Sequence, residues 1–260
     1  MVSVAEEPIE GSELQWDYVV DVICAGAGLG ALAHAIWSTD LDLDVEFADA
    51  ELVLETIDPD TAAYLQSMTE DLDPVADRDL ELAIAHVKPV VVVTDRKTTI
   101  ETFFGSRLRD FSARCVASPF GVVYSHVPDA MTPMHSAGET IRVAELGDFQ
   151  PETDRPGAEL AEWIRGQADE RGLLDEPGIA LQRLIFEYGR VAGAELSTSS
   201  GTRLVRATVG VALSIGPTPT TAEWPVQNKL PSGAAQVAVV SRTASRFGLV
   251  ELVYGSENPT

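Results

Sequence analysis

The sequence has few cysteines and contains no long apolar run. Only two of its 260 residues are cysteines, Cys24 and Cys115, which is too few for a disulfide framework or a cysteine-based zinc site. Its apolar runs are shorter than the roughly 20 residues that a membrane-spanning helix needs. The N-terminus also lacks the basic and apolar regions of a secretory signal. We therefore expect a cytoplasmic protein without a membrane span.

Basic residues are scarce and unevenly placed. The chain has 18 Lys and Arg residues against 41 Asp and Glu residues, which gives a net charge of -23. No Lys or Arg precedes Arg78, whereas 19 acidic residues lie within residues 1–77. Nucleic acids and anionic membranes bind through cations that neutralise phosphates. This charge balance therefore argues against both kinds of partner.

The sequence also lacks the recognised signatures of a metal site or an activated nucleophile. It has four histidines: His34, His86, His126 and His135. We expect His34, on a predicted helix, to be a packing residue. His126 and His135 lie near Tyr124 and Glu139 in sequence, and a general acid–base pair could be assembled from these four residues. The alternative is that they are ordinary polar residues of a loop.

What the sequence does contain is enough apolar residues for a folded core. Apolar residues make up 45% of the chain and charged residues 23%, as in ordinary globular domains. The length fits one large α/β domain, or one domain with an inserted lobe. Soluble behaviour follows from the charge, and a homo-oligomer or a protein partner stays open.

A glycine-rich turn near the N-terminus is the clearest local pattern. The segment 21-DVICAGAGLGALAHAI-36 predicts a buried strand over 19–26 and a helix over 29–38, and DVEFA (44–48) predicts a second strand. A helix that connects two strands in this way predicts parallel pairing in a β-α-β unit.

The residues of this turn have the spacing of a dinucleotide site. The first glycine permits the tight bend, the second lets backbone N–H groups approach a pyrophosphate, and a small third residue lets the helix pack closely. The candidate cofactor-binding residues at the turn are Gly26, Gly28, Leu29, Gly30 and Ala31. The alternative is a glycine turn kept only for packing.

Asp49 completes the dinucleotide pattern. It follows the second predicted strand, 23 residues after Gly26, where an acidic residue is expected to accept the ribose hydroxyl groups. An acid at this place suits NAD(P) as well as FAD, so a small NAD(P)-binding protein is a further hypothesis.

The remainder of the chain predicts further helices and strands. Hydrophobic periodicity and turn residues predict a helix over 60–72, a strand within 80–95, and two strands over 120–127 and 139–146, a candidate pair around a loop at 128–138. Further along, they predict a helix from 157, three successive strands within 183–216, and a final strand over 235–241, which is followed by the segment 245–255. The stretches 150–157 and 217–225 are interpreted as linkers.

Two blocks of the sequence resemble one known family. The opening WDYVVDVICAGAGLGALAHAI and the later segment 189-GRVAGAELSTSSGTRLVRATVGVALSIGP-217 resemble FAD-dependent oxidoreductases of the fumarate reductase and 3-ketosteroid dehydrogenase type. Ser214 and Gly216 stand where that family has the strand end that approaches the flavin. The resemblance therefore implies that these two residues also contact FAD.

The resemblance implies an α/β fold of the Rossmann-like FAD/NAD(P)-binding kind, with a parallel sheet and a reduced, β-containing inserted lobe. The domain division that follows is an acidic lead-in at 1–16, a dinucleotide-binding-type domain formed by 17–95 and 157–260, and the inserted lobe at 96–156. The implied activity is hydride transfer between the flavin and a small or steroid-like substrate, with FAD supplying the redox chemistry.

A second functional hypothesis stays beside this one. None of the family's catalytic Arg, His or Tyr residues maps onto a position of this chain, and the glycine-rich block that closes over the flavin is missing. The chain is then a catalytically degenerate homologue that serves as a structural or regulatory subunit. The basic residues at 96–114, which are Arg96, Lys97, Arg107, Arg109 and Arg114, would compensate cofactor phosphates in the first hypothesis. In the other they only pair with surface acids.

Overall fold

The computed structural model describes residues 14–53, 57–75, 82–90, 105–152, 155–216, 230–231, 233–242 and 245–255. Several of the sequence predictions fall outside these ranges: most of the acidic lead-in, the end of the apolar run at 91–95, the linker at 217–225, and the cations Arg96 and Lys97.

The elements are numbered in chain order. The strands are β1 (Tyr18–Ala25), β2 (Val45–Ala48), β3 (Ala83–Pro89), β4 (Gly121–Tyr124), β5 (Thr132–Ser136), β6 (Glu139–Phe149), β7 (Ala180–Glu187), β8 (Arg190–Thr198), β9 (Gly201–Leu213), β10 (Ala235–Arg242) and β11 (Phe247–Gly255). The helices are α1 (Leu29–Asp40), α2 (Pro59–Thr69), α3 (Gly105–Ala117) and α4 (Pro156–Asp169).

The predicted β-α-β unit is confirmed. β1 pairs in parallel with β2, with Val22 opposite Val45, and α1 connects the two strands. On its other side β1 pairs in parallel with β9. The three strands β7, β8 and β9 form an antiparallel meander, as the turns at Tyr188–Gly189 and Ser200–Gly201 predict.

The sheet as a whole is mixed rather than parallel. Parallel pairing is found between β1 and β2, between β1 and β9, and between β3 and β11. The other pairings that the structure describes are antiparallel, including β4 between β11 and β9. The class is therefore mixed α/β, which confirms the prediction in general terms, with a mixed sheet where the prediction had a parallel one.

Five of the strands close on themselves. β10 pairs with β6, β6 with β5, β5 with β3, β3 with β11, and β11 again with β10. Apolar side chains from these strands, among them Ile141, Val240 and Val253, form a separate buried cluster. Each of these five strands therefore has a neighbour on both edges, although within the residues that the structure describes β3 and β5 pair only at Lys88–His135 and Pro89–Met134.

Helix α1 is buried along most of its length. Residues 29–38 are all buried, and a helix that is apolar on every side belongs in the interior of a domain. Its alanines let neighbouring elements approach closely. Helix α4, which begins at Pro156, packs against α1, and proline suits this first position because its missing N–H has no helical acceptor there.

The prediction of a loop over 128–138 is wrong, because β5 lies within these residues. β5 and β6 are joined by Ala137 and Gly138, whose φ angles of 49° and 82° match the two-residue turns that connect antiparallel strands. The pairing of the two strands predicted around the loop is also wrong: β6 pairs with β5 and β10, and β4 with β9 and β11.

Helix α3 lies in a segment for which the sequence pattern predicts no element. β5 and β6 lie within the stretch predicted as an inserted lobe, and they pair with β3 and β10, which lie outside it. The division of the chain into domains stays a prediction.

Candidate functional site

The glycine turn joins the end of β1 to the start of α1. Gly26 has a φ of 109°, a conformation that favours glycine, and its N–H donates to the carbonyl of Ala48 at 2.9 Å. Gly28 is the N-cap of α1 and has no side chain with which to cap it. The first N–H groups of the helix must therefore find acceptors elsewhere.

Two of these N–H groups donate to acceptors within the chain. The N–H of Leu29 donates to the carbonyl of Pro119 at 2.7 Å. The N–H of Ala31 donates to Ser214 Oγ at 2.7 Å, and Ser214 Oγ in turn donates to the carbonyl of Gly121 at 2.8 Å. Ser214 thus caps α1 from a distant part of the chain and ties it to the start of β4.

The glycines are in close contact with these same residues. A Cβ placed on Gly28 would lie 2.6 Å from Ser214 Cβ, and one placed on Gly30 would lie 2.2 Å from the carbonyl oxygen of Gly121. A Cβ on Gly26 would lie 2.3 Å from the carbonyl oxygen of Ser214. The end of β9 and the start of β4 therefore occupy the space directly in front of the turn.

Asp49, predicted to accept ribose hydroxyl groups, has protein partners. Its Oδ1 accepts the N–H of Gly178 at 2.7 Å and that of Ile179 at 3.0 Å. These bonds fix the loop before β7 against the end of β2. Gly216, at the other end of the predicted set, lies against the C-terminal end of α3 and the residue after it: a Cβ on it would lie 2.4 Å from the carbonyl oxygen of Ser118 and 3.0 Å from that of Val116.

The structure thus brings Gly26, Gly28, Gly30, Ala31 and Ser214 together, and it fills the gap between them with protein. A pyrophosphate that bound to the N–H groups of Leu29 and Ala31 would have to replace the acceptors Pro119 and Ser214. The role of the whole predicted set in cofactor binding stays a prediction.

One of the cations predicted to compensate phosphate charge, Arg107, has an acidic partner in the structure. Arg107 forms an ion pair with Glu139 at 2.7 Å, and Arg242 approaches the same carboxylate at 3.3 Å. Both Arg107 and Glu139 are partly exposed to solvent, so this pair stabilises the fold only weakly.

The four residues from which an acid–base pair could be assembled contact different neighbours in the structure. Glu139 is engaged by the two arginines, and His135 Nδ1 lies 3.4 Å from Thr140 Oγ1. His126 is exposed in the loop that follows β4, whereas Tyr124 is buried.

A second feature, which the sequence interpretation missed, is a cavity of about 410 Å³ beside the C-terminal half of α1. His34 lines this cavity and packs at a ring-centroid distance of 4.9 Å from Tyr124. Burial lowers the pKa of His34 to about 4. The sequence signal was available: His34 and Ser38 are polar residues one turn apart in a helix that is otherwise buried and mostly apolar.

Replacing Ser214 by alanine tests the internal cap. The change leaves the N–H of Ala31 without its acceptor and the carbonyl of Gly121 without its donor, both in a buried site. We expect the free energy of unfolding to fall by about 2 kcal/mol, measured by urea denaturation. Ser67→Ala is the matched control, because the Ser67 hydroxyl is exposed and donates only to its own helix, at Tyr64. An equal effect of the two changes would contradict the role given to Ser214.

No protein-family profile matches the chain, and no curated protein sequence matches it. Three solved structures show partial likeness. A geranylgeranyl bacteriochlorophyll reductase-like protein from Thermoplasma acidophilum is 14% identical over 73% of this chain and 38% of its own, with a TM-score of 0.28. A myxobacterial FAD-dependent chondrochloren halogenase is 13% identical over 73% of this chain and 36% of its own, with a TM-score of 0.28.

The third is a 3-ketosteroid dehydrogenase from Rhodococcus jostii, 18% identical over 78% of this chain and 47% of its own, with a TM-score of 0.33. The chain spans less than half the length of each of the three structures. TM-scores of this size do not place a cofactor in this chain.

The described ranges contain neither a candidate membrane span nor a candidate metal cluster. None of their helices is long and apolar enough to cross a membrane. Nor do those ranges contain a group of three or more His, Cys, Asp or Glu side chains placed to hold a metal ion.

Proposed function

We propose that this protein is a non-catalytic relative of the FAD-dependent oxidoreductases, in which the glycine turn is a packing joint and the chain acts as a structural or regulatory subunit. One observation carries the proposal: the N–H groups of Leu29 and Ala31, which would face a pyrophosphate, donate at 2.7 Å to Pro119 and Ser214.

The hydrogen bonds at the turn favour the packing role over cofactor binding. A helix N-terminus attracts anions because its N–H groups are unpaired and its dipole is positive there. In this chain two of those groups already have acceptors. A pyrophosphate that bound to these two groups would have to break both bonds.

The charges around the turn also favour the packing role over cofactor binding. A dinucleotide pyrophosphate carries about two negative charges, and a helix N-terminus supplies only about half a positive charge. No Lys or Arg precedes Arg78 in the sequence. The neutral acceptors Pro119 and Ser214 satisfy the helix N-terminus without requiring any such cation.

The rival function is hydride transfer through bound FAD, or through NAD(P). For FAD, the glycine spacing and the position of Asp49 after β2 match the known pattern. In that function the ribose hydroxyl groups would share the Asp49 carboxylate with the N–H groups of Gly178 and Ile179, from which its Oδ1 accepts at 2.7 and 3.0 Å.

The visible spectrum of the purified protein distinguishes the two functions. We expect a colourless protein that stays colourless after incubation with excess FAD and removal of the unbound cofactor. An authentic flavoprotein, stripped of its FAD and treated in parallel, is the control for reconstitution. Flavin absorption bands that stay with the folded protein and are released on denaturation would contradict the proposal. Binding of NAD(P) is tested separately by equilibrium dialysis, and we expect the protein to retain no NAD(P).

A further inference from the structure

The cavity beside α1 lies at a distance from the glycine turn, towards the other end of the helix. Its wall is built from α1, β1, β4, β9 and the loop that follows β4. The volume of about 410 Å³ is within the range of roughly 300–1,000 Å³ that ligand pockets occupy. Leu41 and Val209 line it and are 42% and 50% exposed, so the cavity reaches the surface.

Two polar side chains in its wall lack partners in the structure. His34 is only 5% exposed and Ser38 only 1%, yet neither His34 Nδ1 nor Ser38 Oγ has a hydrogen-bond partner. Buried polar atoms are normally paired, because an unpaired one loses its hydration without compensation. Both atoms lie on one face of α1, one turn apart, and both side chains line the same cavity.

Apart from His126 and Asp129, which are exposed to solvent, the other lining residues are apolar or aromatic. Trp37 and Tyr124 both line the cavity, and their ring centroids lie 5.4 and 4.9 Å from that of His34. The Tyr124 hydroxyl is also without a partner, but it lies against Gly248 of β11. It is therefore not counted as a ligand contact.

The charges of the lining residues limit which ligands the cavity can bind. None of the described lining residues is Lys or Arg, and Asp129 lies at the exposed rim. An anion would find no counter-charge there, and any ion would lose its hydration in an apolar cavity. Because burial holds the pKa of His34 at about 4, its imidazole is neutral near pH 7 and offers one N–H donor and one nitrogen acceptor.

We infer that this cavity binds a neutral, mainly apolar small molecule whose hydroxyl or carbonyl group hydrogen-bonds to His34 and Ser38. The inference goes beyond the proposed function and does not depend on it, since the cavity and the glycine turn share no residue. It assigns His34 and Ser38 a binding role that accounts for two unpaired buried groups in one place.

A pair of probes tests the inference on the full chain. 1-Naphthol and naphthalene share an apolar body, and only 1-naphthol carries a hydroxyl group. We expect 1-naphthol to bind about tenfold more tightly, as one buried hydrogen bond implies. The dissociation constants are measured by fluorescence titration, and the ¹⁵N signals of the His34 ring should shift only with 1-naphthol.

Three variants locate the binding. Ser38→Ala should weaken 1-naphthol binding about three- to tenfold without lowering the melting temperature, because the hydroxyl it removes has no partner. Ala130→Trp, at the exposed rim, should weaken the binding of both probes. Ala63→Trp, on an exposed position of α2 outside the cavity wall, is the matched control and should change neither affinity.

Several results would overturn the inference. If neither probe binds, water occupies the cavity and satisfies both groups. Equal affinity for the two probes would mean that His34 and Ser38 make no ligand hydrogen bond. Unchanged 1-naphthol affinity in Ser38→Ala or in Ala130→Trp would place the binding elsewhere.

Discussion

The change Gly30→Ala is expected to lower the free energy of unfolding by about 3 kcal/mol or more, a typical upper range for overpacking in a core. A Cβ at this position would lie 2.2 Å from the carbonyl oxygen and 2.4 Å from the carbonyl carbon of Gly121, and 2.8 Å from the carbonyl oxygen of Phe120. These are backbone atoms, so no side chain can rotate away. α1 and the start of β4 must separate instead.

The sign of the effect makes this change informative. In an ordinary helix, replacing glycine by alanine stabilises by up to about 1 kcal/mol, because alanine has the better helix propensity. Gly166→Ala is the matched control: Gly166 lies in α4, and nothing is found within 4 Å of its would-be Cβ. We expect urea denaturation to give opposite signs for the two helix glycines. Stabilisation by both changes would contradict the close contact at the turn.

The second large effect is a loss of stability in acid that depends on His34. Burial lowers the pKa of His34 from 6.5 to about 4, so below pH 6.5 the unfolded chain binds a proton that the folded chain does not. The free energy of unfolding that depends on neutral His34 is fully present above pH 6.5 and is lost as the pH falls towards 4. It amounts to about 3 kcal/mol in total.

The measurement is the free energy of unfolding from pH 7.5 to pH 4, compared with that of His34→Gln. Other carboxylates titrate in this range in both proteins, so the difference between the two curves isolates His34. We expect the stability advantage of the parent protein over the variant to shrink steadily below pH 6.5. An NMR titration of the His34 ring with a midpoint near 6.5 would contradict its burial beside the cavity.

The local elements of this protein could largely be predicted from its sequence. The apolar run of β1, the alanine-rich helix α1 and the short strand β2 give a clear β-α-β signal. The turns at Tyr188–Gly189 and Ser200–Gly201 separate β7, β8 and β9. In each case the pattern depends on residues close together in the chain.

The ring of five strands could not be predicted in this way. β3, β5, β6, β10 and β11 come from widely separated segments, and sequence periodicity carries no information on which strands pair. β5, with the sequence TPMHS, contains a proline and few of the residues typical of strands. It is a strand because β6 and β3 pair with it.

The candidate site shows the same limit. The glycine spacing correctly marks where backbone must come close to α1, but it does not say what comes close. Ser214, which accepts the N–H of Ala31, is 183 positions away in the sequence. A glycine turn that holds a pyrophosphate and one that holds a serine and a neighbouring strand have the same local pattern.

Amide hydrogen exchange at Leu29 and Ala31, with and without FAD, tests the central claim most directly. The account predicts slow exchange of both amides, comparable to that of the middle of α1, and no change when FAD is added in excess. Rapid exchange in the protein alone, followed by protection on addition of FAD, would contradict it and would show that the turn is a cofactor site.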